Sequence, residues 1–324
     1  MQRILIIQTA FLGDVILATS FIASTRATFP NAQIDVLVKK GNESLLVNNP
    51  AIHTVYTFDK SEGKWKNIWS LIKTFRSNKY EYVFNLHRFG SSGLIAVASG
   101  AKKVFGFAKN PFSLFYSQRF EHEIGEGKHE VERNVEMLKP FGCKEASSMR
   151  LYPSDQNYEK VELFKTEKYY CLAPASVWET KRLPAEKWVE LIERLPLDAM
   201  IYLLGSKADE ELCELIASSA TATNVVNLAG ALNLLDSAAL MQDATRNYVN
   251  DSGPLHISSA MNAPVTAFFC STVPDFGFGP KSDDSQVLEV EGLSCRPCGL
   301  HGHKKCPQDH FSCGHDINIL KAKI

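Results

Sequence analysis

The stretch RNYVNDSGPLHISSAM, residues 246–261, decides the fold because it joins a strand pattern to a helix pattern through a short polar turn. Its first four residues are typical of a strand, and its last five form an apolar, helix-like run. Such a turn exposes backbone N–H groups at the helix start, where an anionic phosphate binds best. Asp251 and Ser252 are also ordinary capping residues, and capping alone would account for both. It would not account for the residues beside them, Gly253, Pro254 and His256.

Short apolar runs alternate with amphipathic runs along the whole chain, and this alternation predicts parallel sheets covered by helices on both faces. In the first half the predicted strands are residues 3–7, 34–38, 53–58, 82–85 and 103–107, with helices at 14–28, 64–75 and 129–141. In the second half the predicted strands are 169–173, 200–204, 225–227, 247–249 and 265–269, with helices at 184–195, 208–217, 234–241 and 253–261. The predicted fold class is therefore α/β, with two doubly wound halves in tandem.

The polar stretch at residues 144–168 has few apolar runs and is interpreted as the connection between the halves. A chain of 324 residues, 45% of them apolar, has room for about two domains with buried cores. We therefore predict one domain over residues 1–150 and a second over residues 151–324. Ligands of doubly wound sheets lie at the carboxyl ends of the strands, so we expect the site in a cleft between the halves.

The charge balance excludes a general affinity for nucleic acid. Lys plus Arg number 35 and Asp plus Glu number 36, a net charge of −1, so an anionic partner must be met by a local basic patch. We expect neither a membrane-spanning helix nor an ordinary signal peptide, because no apolar run is long enough. Four isolated cysteines fit a reducing, cytoplasmic compartment: Cys143, Cys171, Cys213 and Cys270.

The turn after the first predicted strand places a glycine and a carboxylate, Gly13 and Asp14, at the expected cleft. It is not a G-x-G-x-x-G turn, so the dinucleotide fingerprint of redox enzymes is missing here. Two interpretations of Asp14 stay open. It is an acid in a first helical turn, which the helix dipole favours, or it is a general base placed to take a proton from a hydroxyl.

Two strand ends in the second half carry polar residues that suit a nucleotide. After the first strand of this half, Ser176 can donate to a phosphate oxygen and Lys181 can neutralise a phosphate. A solvated loop with two cations is the competing interpretation. After the next strand, Asp209 and Glu210 suit ribose hydroxyls, although acids are ordinary in a first helical turn.

Polar residues of the first half suit an acceptor. His87 and Arg88 end a predicted strand at the same cleft edge, and His129 and Arg133 lie on one helix face, although a lone histidine is more often structural. Between residues 102 and 120 four cations and no acids are interleaved with six aromatic residues. Such a stretch suits an anionic, lipid-linked acceptor. A buried aromatic core segment is the competing interpretation.

Taken together, these residues resemble the bacterial ADP-heptose:lipopolysaccharide heptosyltransferases of glycosyltransferase family 9. The resemblance covers most of the chain, and the joint order of its motifs is more specific than any one of them. It is carried by Ile4-Leu5-Ile6-Ile7-Gln8, Leu12-Gly13-Asp14, Ser176, Thr180-Lys181-Arg182-Leu183-Pro184, Leu204-Gly205 and Asp251-Ser252-Gly253-Pro254-Leu255-His256. Two departures leave the transferred sugar open: Leu183 stands where the family often has Trp, and Ser252 stands where it has Thr.

The resemblance implies the GT-B fold, in which the first Rossmann-like domain binds the acceptor and the second binds the nucleotide sugar. It implies an inverting transfer of heptose from ADP-heptose to a lipid-A-linked inner-core acceptor, with no cofactor required for catalysis. Asp14 would be the base. A lipid-linked acceptor also implies a peripheral contact with the inner face of the cytoplasmic membrane. The implied donor-site residues are Gly13, Ser176, Lys181, either Asp209 or Glu210, Asp251, Ser252, Gly253 and His256.

A Cys/His-rich loop near residues 295–315 needs a separate explanation. Four cysteines with several histidines among them suit tetrahedral zinc, which would be structural: Cys295, Cys298, Cys306 and Cys313. The spacing is not that of a paired C-x-x-C zinc ribbon. Free thiols and a disulfide are the competing interpretations.

Two alternative functions remain. The first is a transferase that uses another nucleotide sugar for a different envelope glycan. The second is a nucleotide-binding protein without catalysis, which would keep the phosphate site of the second half and would not need Asp14. A redox enzyme is disfavoured because the glycine fingerprint is missing.

Overall fold

The computed structural model describes residues 1–61, 63–165 and 167–324. The chain divides into two compact units, Met1–Tyr152 and Pro153–Ile324. Among the described residues no helix is both long enough and apolar enough to span a bilayer.

The first unit is a six-stranded, fully parallel sheet with helices on both faces. Its strands are β1 (Arg3–Gln8), β2 (Gln33–Lys39), β3 (Thr54–Phe58), β4 (Tyr82–Asn85), β5 (Lys103–Phe107) and β6 (Gln118–Phe120). Its helices are α1 (Leu12–Thr28), α2 (Lys64–Asn78), α3 (Gly90–Ala98) and α4 (Glu130–Val135). Short 3₁₀ turns occur at Glu43–Leu45, Ser113–Phe115 and Glu136–Phe141. The strand order is β3-β2-β1-β4-β5-β6.

The order of the strands explains the composition of β1. This strand pairs in parallel with β2 on one side and β4 on the other, so both of its faces lie under helices. Its run Ile4-Leu5-Ile6-Ile7 is fully buried, as expected for a central parallel strand. On one face Leu5 and Ile7 pack in a cluster with Ile68 and Phe75 of α2.

The second unit repeats the architecture. Its strands are β7 (Tyr169–Ala173), β8 (Met200–Leu203), β9 (Val225–Asn227), β10 (Arg246–Asn250), β11 (Val265–Phe269) and β12 (Ser285–Glu289), in the order β12-β11-β10-β7-β8-β9. Its helices are α5 (Asp155–Glu162), α6 (Ala185–Ile192), α7 (Glu210–Ser219), α8 (Leu234–Gln242), α9 (Gly253–Ala260) and α10 (Ser312–His315). Short 3₁₀ turns occur at Glu179–Lys181, Lys207–Asp209, Pro274–Phe276 and Ile319–Lys321. Trp188 of α6 is fully buried and packs edge-on against Phe268 of β11.

The structure departs from the sequence prediction at several places, and it contains two helices that were not predicted, α3 and α10. The helix predicted over residues 129–141 ends at Val135 and continues as a 3₁₀ turn that contains Pro140, which has no N–H for a helical hydrogen bond. The predicted connection at residues 144–168 contains α5, whose start is capped by Ser154. The edge strands β6 and β12 were not predicted, because their burial is only partial and their apolar pattern is weak.

Candidate active site

Both sheets reverse their strand order at a central point, and the predicted site residues lie at the carboxyl ends of the strands there. In the first unit the reversal falls between β1 and β4, and in the second between β7 and β10. Two neighbouring loops diverge on opposite faces of the sheet at such a point and leave room for a ligand. Each unit therefore has a candidate ligand site at the switch point of its own sheet.

Asp14 lies in the first turn of α1, directly beyond the end of β1. Its carboxylate accepts the backbone N–H of Phe11 at 3.2 Å. Burial and, to a smaller extent, the nearby charge of Glu130 raise the pKa of Asp14 to about 6, against the opposing effects of the Phe11 N–H and Arg88. Desolvation therefore outweighs the helix dipole, which would lower the pKa. A carboxylate with this pKa is a better proton acceptor than an ordinary surface acid.

His87 lies just beyond the carboxyl end of β4, the strand that pairs with β1. Its Nδ1 is 2.9 Å from the hydroxyl of Thr9, which follows β1, and the Lys60 ammonium donates to the Thr9 carbonyl at 2.5 Å. Burial lowers the pKa of His87 to about 3, and the positive charges of Lys60 and Arg88 add to the shift. His87 is therefore a neutral hydrogen-bonding group at physiological pH. Sequence reasoning missed Lys60, although its position two residues beyond β3 was a usable signal.

The other predicted acceptor residues of α4 lie in a buried network. Arg133 donates through Nε to Glu130 at 2.8 Å, and His122 lies 3.0 Å from the same carboxylate. His129 caps α4, since its Nδ1 accepts the Val131 N–H. Of the predicted acceptor residues, Arg88 lies near enough to Asp14 to lower the pKa of its carboxyl. The roles of Arg133 and His129 in acceptor binding stay predictions.

In the second unit Lys181, Asp251 and Thr272 come together from the ends of three adjacent strands. The Lys181 ammonium lies 2.6 Å from Asp251 Oδ2, and both side chains are largely buried. The Thr272 hydroxyl donates to the same oxygen at 2.5 Å. β7, β10 and β11 precede these three residues, respectively, and lie side by side in the sheet. Asp251 therefore holds Lys181 beside the start of α9.

The capping interpretation of the Asp251–Ser252 turn is not what the structure shows. Ser252 occupies the N-cap position of α9, but its side chain makes no capping hydrogen bond there. The Asp251 carboxylate is engaged by Lys181 and Thr272 instead. α9 begins at Gly253 and carries His256, which is buried, in its second turn. The turn thus leaves the start of α9 without a side-chain cap, which suits an anion.

The sequence predicted no role for Asn250, and the structure gives it one. This fully buried side chain accepts the Leu183 N–H at 2.9 Å and donates to the Pro174 carbonyl at 2.7 Å. It thereby ties β10 to both ends of the loop that carries Ser176 and Lys181. The Ser176 carbonyl also accepts a hydrogen bond from Arg182 Nε at 2.7 Å. These bonds give the loop between β7 and α6 a defined shape, and only long-range pairing could reveal them.

Asp209 and Glu210, which the sequence could not separate, differ in their surroundings. Asp209 Oδ2 accepts both the backbone N–H of Ser206, at 2.8 Å, and its hydroxyl, at 2.6 Å. Glu210 pairs with Lys207 at 2.5 Å on the exposed surface. Both residues follow β8, the strand next to β7. Their part in ribose binding stays a prediction.

The Cys/His-rich loop packs against the loop between β7 and α6. The His303 N–H donates to the Thr180 hydroxyl at 2.8 Å, and the Thr180 N–H donates to the His303 carbonyl at 3.1 Å. Gly302 has φ +76°, and a Cβ there would lie 2.9 Å from the Thr180 hydroxyl and 3.3 Å from Cγ of Lys181. A glycine is required at this point by both its backbone and its neighbours.

The zinc assignment of the four clustered cysteines stays a prediction. Over residues 1–61, 63–165 and 167–324, no group of three or more His, Cys, Asp or Glu side chains is arranged to hold a metal ion. Cys313 is buried in the apolar core of the second unit, and burial together with the neighbouring thiols of Cys298, Cys306 and Cys295 raises the pKa of its thiol to about 11. Cys298 donates to the Cys295 carbonyl at 3.0 Å. The cysteines, Cys306 included, are free thiols.

Two tandem Rossmann-like units with polar residues at the switch point of each sheet define a GT-B fold. The chain belongs to glycosyltransferase family 9 (heptosyltransferase), whose sequence profile matches residues 68–309. It is 28% identical over 279 residues to lipopolysaccharide heptosyltransferase 3 of Escherichia coli K12, covering 80% of each chain. The protein is therefore a glycosyltransferase.

Solved structures support the fold. The E. coli ADP-heptose lipopolysaccharide heptosyltransferase II superposes with a TM-score of 0.78 at 20% identity, over 96% of this chain and 97% of that one. The E. coli heptosyltransferase WaaC, solved with ADP, gives a TM-score of 0.71 at 22% identity, over 88% and 92% of the two chains. Both similarities extend over the two units, so the GT-B prediction is confirmed.

Proposed function

We propose that this protein transfers heptose from ADP-heptose to a lipid-A-linked inner-core sugar of lipopolysaccharide, with inversion at the anomeric carbon and Asp14 as general base. The observation that carries the proposal is the position of Asp14 in the first turn of α1, at the switch point of the first unit, where burial raises its pKa. The curated relatives include lipopolysaccharide heptosyltransferases, and one structural relative was solved with ADP. We assign the acceptor to the first unit and the nucleotide sugar to the second.

In the proposed reaction Asp14 takes the proton of the acceptor hydroxyl while that oxygen bonds to the anomeric carbon. The bond from the anomeric carbon to the diphosphate breaks, and ADP leaves with the electron pair. Inversion requires one base on the face opposite the leaving group. With a pKa of about 6, Asp14 is mostly ionised at neutral pH and still basic enough to accept the proton.

The second unit would stabilise the departing diphosphate. The positive charge of Lys181 and the N–H groups at the start of α9, near Ser252 and Gly253, are preorganised donors for its developing negative charge. Ser176 would donate to a phosphate oxygen, His256 would line the donor site, and Asp209 or Glu210 would hold the ribose. Asp251 would act through Lys181, because it holds the ammonium in place.

The first unit would bind the acceptor sugar. Lys60 and Arg88 are cations at the carboxyl end of the sheet, where Asp14 also lies. The neutral imidazole of His87 can form a hydrogen bond with a sugar hydroxyl. Since the acceptor is lipid-linked, we also propose that the enzyme works at a membrane surface through a peripheral contact.

The test is Asp14→Asn, assayed for transfer from ADP-heptose to a lipid-A-linked core acceptor and for ADP binding. We expect a loss of turnover of about 100-fold or more with ADP affinity unchanged. Asp155→Asn, at an exposed acid in the first turn of α5, is the matched control and should keep full activity. Near-native turnover of Asp14→Asn would refute the base assignment.

The donor is tested separately by thermal stabilisation with ADP, UDP and GDP. We expect ADP to stabilise the protein most. A larger effect of UDP or GDP would point to another nucleotide sugar. Nucleotide binding without transfer to any acceptor would leave a binding protein without catalysis.

A further inference from the structure

Helix α2 of the first unit exposes two tryptophans that the proposed reaction does not use. Its buried face packs on the sheet through residues at helical spacing: Ile68, Leu71, Ile72 and Phe75. On its flank Trp65 is 63% exposed and Trp69 is 64% exposed. Indole rings are usually buried to a large extent, so two of them in water on adjacent turns need an explanation.

The exposed tryptophans share one side of α2 with three cations. At about 100° per residue, Trp65, Lys66, Trp69, Lys73 and Arg76 fall within roughly 100° of arc on the helix. All five are exposed, and we call this set the Trp/Lys stripe. Arg76 is oriented by a hydrogen bond from Nε to the Ala98 carbonyl at 2.9 Å.

The charge of this region is not neutralised. From Lys64 to Lys79 the sequence contains five basic residues and no acid. In the described part of the chain, no ion pair involves Lys66 or Lys73, although many other lysines of the protein pair with carboxylates. The Lys64 ammonium lies 5.9 Å from the centre of the Trp65 ring. The stripe therefore combines uncompensated positive charge with large aromatic surface.

We propose that the Trp/Lys stripe of α2 docks the enzyme on the surface of an anionic lipid bilayer. Tryptophan prefers the boundary between headgroups and acyl chains, and basic residues on an amphipathic helix are attracted to anionic headgroups. Charge complementarity excludes a neutral or basic partner, and the two exposed indole rings favour a lipid surface over an acidic protein surface. The proposal rests on the proposed function only in that a lipid-linked acceptor gives the docking a purpose.

The test uses the full-length protein with vesicles of phosphatidylcholine, with or without phosphatidylglycerol. We expect sedimentation with the anionic vesicles only, weakened by salt. Trp65→Gln with Trp69→Gln should reduce the bound fraction about tenfold, and Lys66→Gln with Lys73→Gln should do the same at low salt. Leu197→Gln, at an 84% exposed apolar residue of the second unit, and Lys304→Gln with Lys305→Gln are the matched controls and should bind like wild type.

Two readouts separate this proposal from the proposed function. ADP binding and transfer to a deacylated, water-soluble acceptor should be unchanged in the stripe variants, while transfer to an acceptor embedded in anionic vesicles should fall. Vesicle binding that persists in a protein without heptosyl transfer would support the docking and refute only the function. Absence of vesicle binding by the wild type, or wild-type binding by both stripe variants, would overturn the docking. A wild-type dimer that dissociates in both stripe variants, without any vesicle binding, would assign the stripe to contact with a second copy of the chain. That result would also overturn the membrane docking.

Discussion

Replacing Asp14 by asparagine should stabilise the fold at neutral pH while it abolishes transfer. The structure raises the pKa of Asp14 from 3.8 to about 6. Between these two values the folded state binds more protons than the unfolded state, so this carboxyl lowers stability as the pH rises through that window. The loss is complete above a pH of about 6. Asparagine does not titrate, and its oxygen can still accept the Phe11 N–H.

The magnitude follows from the size of the shift. A pKa that moves from 3.8 to about 6 corresponds to about 3 kcal/mol, since one unit is worth about 1.4 kcal/mol. Asp14 retains some exposure to solvent, which screens its charge, so we expect about 1 to 2 kcal/mol. For a unit of this size that is a rise in the melting temperature of roughly 2 to 8 °C.

The assay is thermal unfolding of wild type and Asp14→Asn at a pH of about 8 and again at about 4.5. The difference between the two proteins should be largest at the higher pH and should shrink at the lower one. Asp155→Asn, in the first turn of α5, should be slightly destabilising instead, because it removes an acid that the helix dipole favours. If Asp14→Asn is destabilising at both pH values, the dipole outweighs desolvation and the pKa argument is wrong.

Four other substitutions test the remaining contacts. Lys181→Met should weaken ADP binding at least about tenfold in calorimetry, since it removes the cation that we propose for the diphosphate. Asn250→Ala should destabilise the protein by about 2 to 4 kcal/mol in urea unfolding, because the Leu183 N–H and the Pro174 carbonyl lose their buried partner. Gly302→Ala should weaken ADP binding, since its Cβ would displace the Lys181 loop. Gly292→Ala has the same backbone strain at φ +75° with nothing within 4 Å, and it should bind ADP normally. Burial lowers the pKa of His87 to about 3, so its imidazole should stay neutral down to a pH of about 4 in an NMR titration. Protonation near the ordinary histidine pKa would contradict this burial.

The fold class could be predicted from the sequence because the signals for it are local. The run Ile4-Leu5-Ile6-Ile7 is apolar at every position, as a strand covered on both faces must be. The polar turn Asn250-Asp251-Ser252 marks the carboxyl end of another central strand. Edge strands gave weaker signals, since β6 and β12 are only partly buried and need less apolar sequence.

The candidate site was predictable in part for the same reason. Asp14, Lys181 and Asp251 each follow a strand, so their position at the edge of a sheet follows from parallel topology. The zinc assignment stays a prediction, because spacing along the chain does not determine how four side chains are arranged. Cys313 packs in the apolar core, and the thiols of Cys298, Cys306 and Cys295 still lie near enough to raise its pKa.

By itself the sequence determined the alternation of strands and helices and the residue types at the strand ends, because hydrophobic periodicity and turn chemistry act over a few neighbours. The tertiary structure alone decided which of those residues meet. Asp251 holds Lys181, Asn250 braces the loop between β7 and α6, and His303 pairs with Thr180. It also decided that Asp14 is largely removed from water. These contacts join residues far apart in the chain, and their energies depend on burial, which exists only once the sheets have formed.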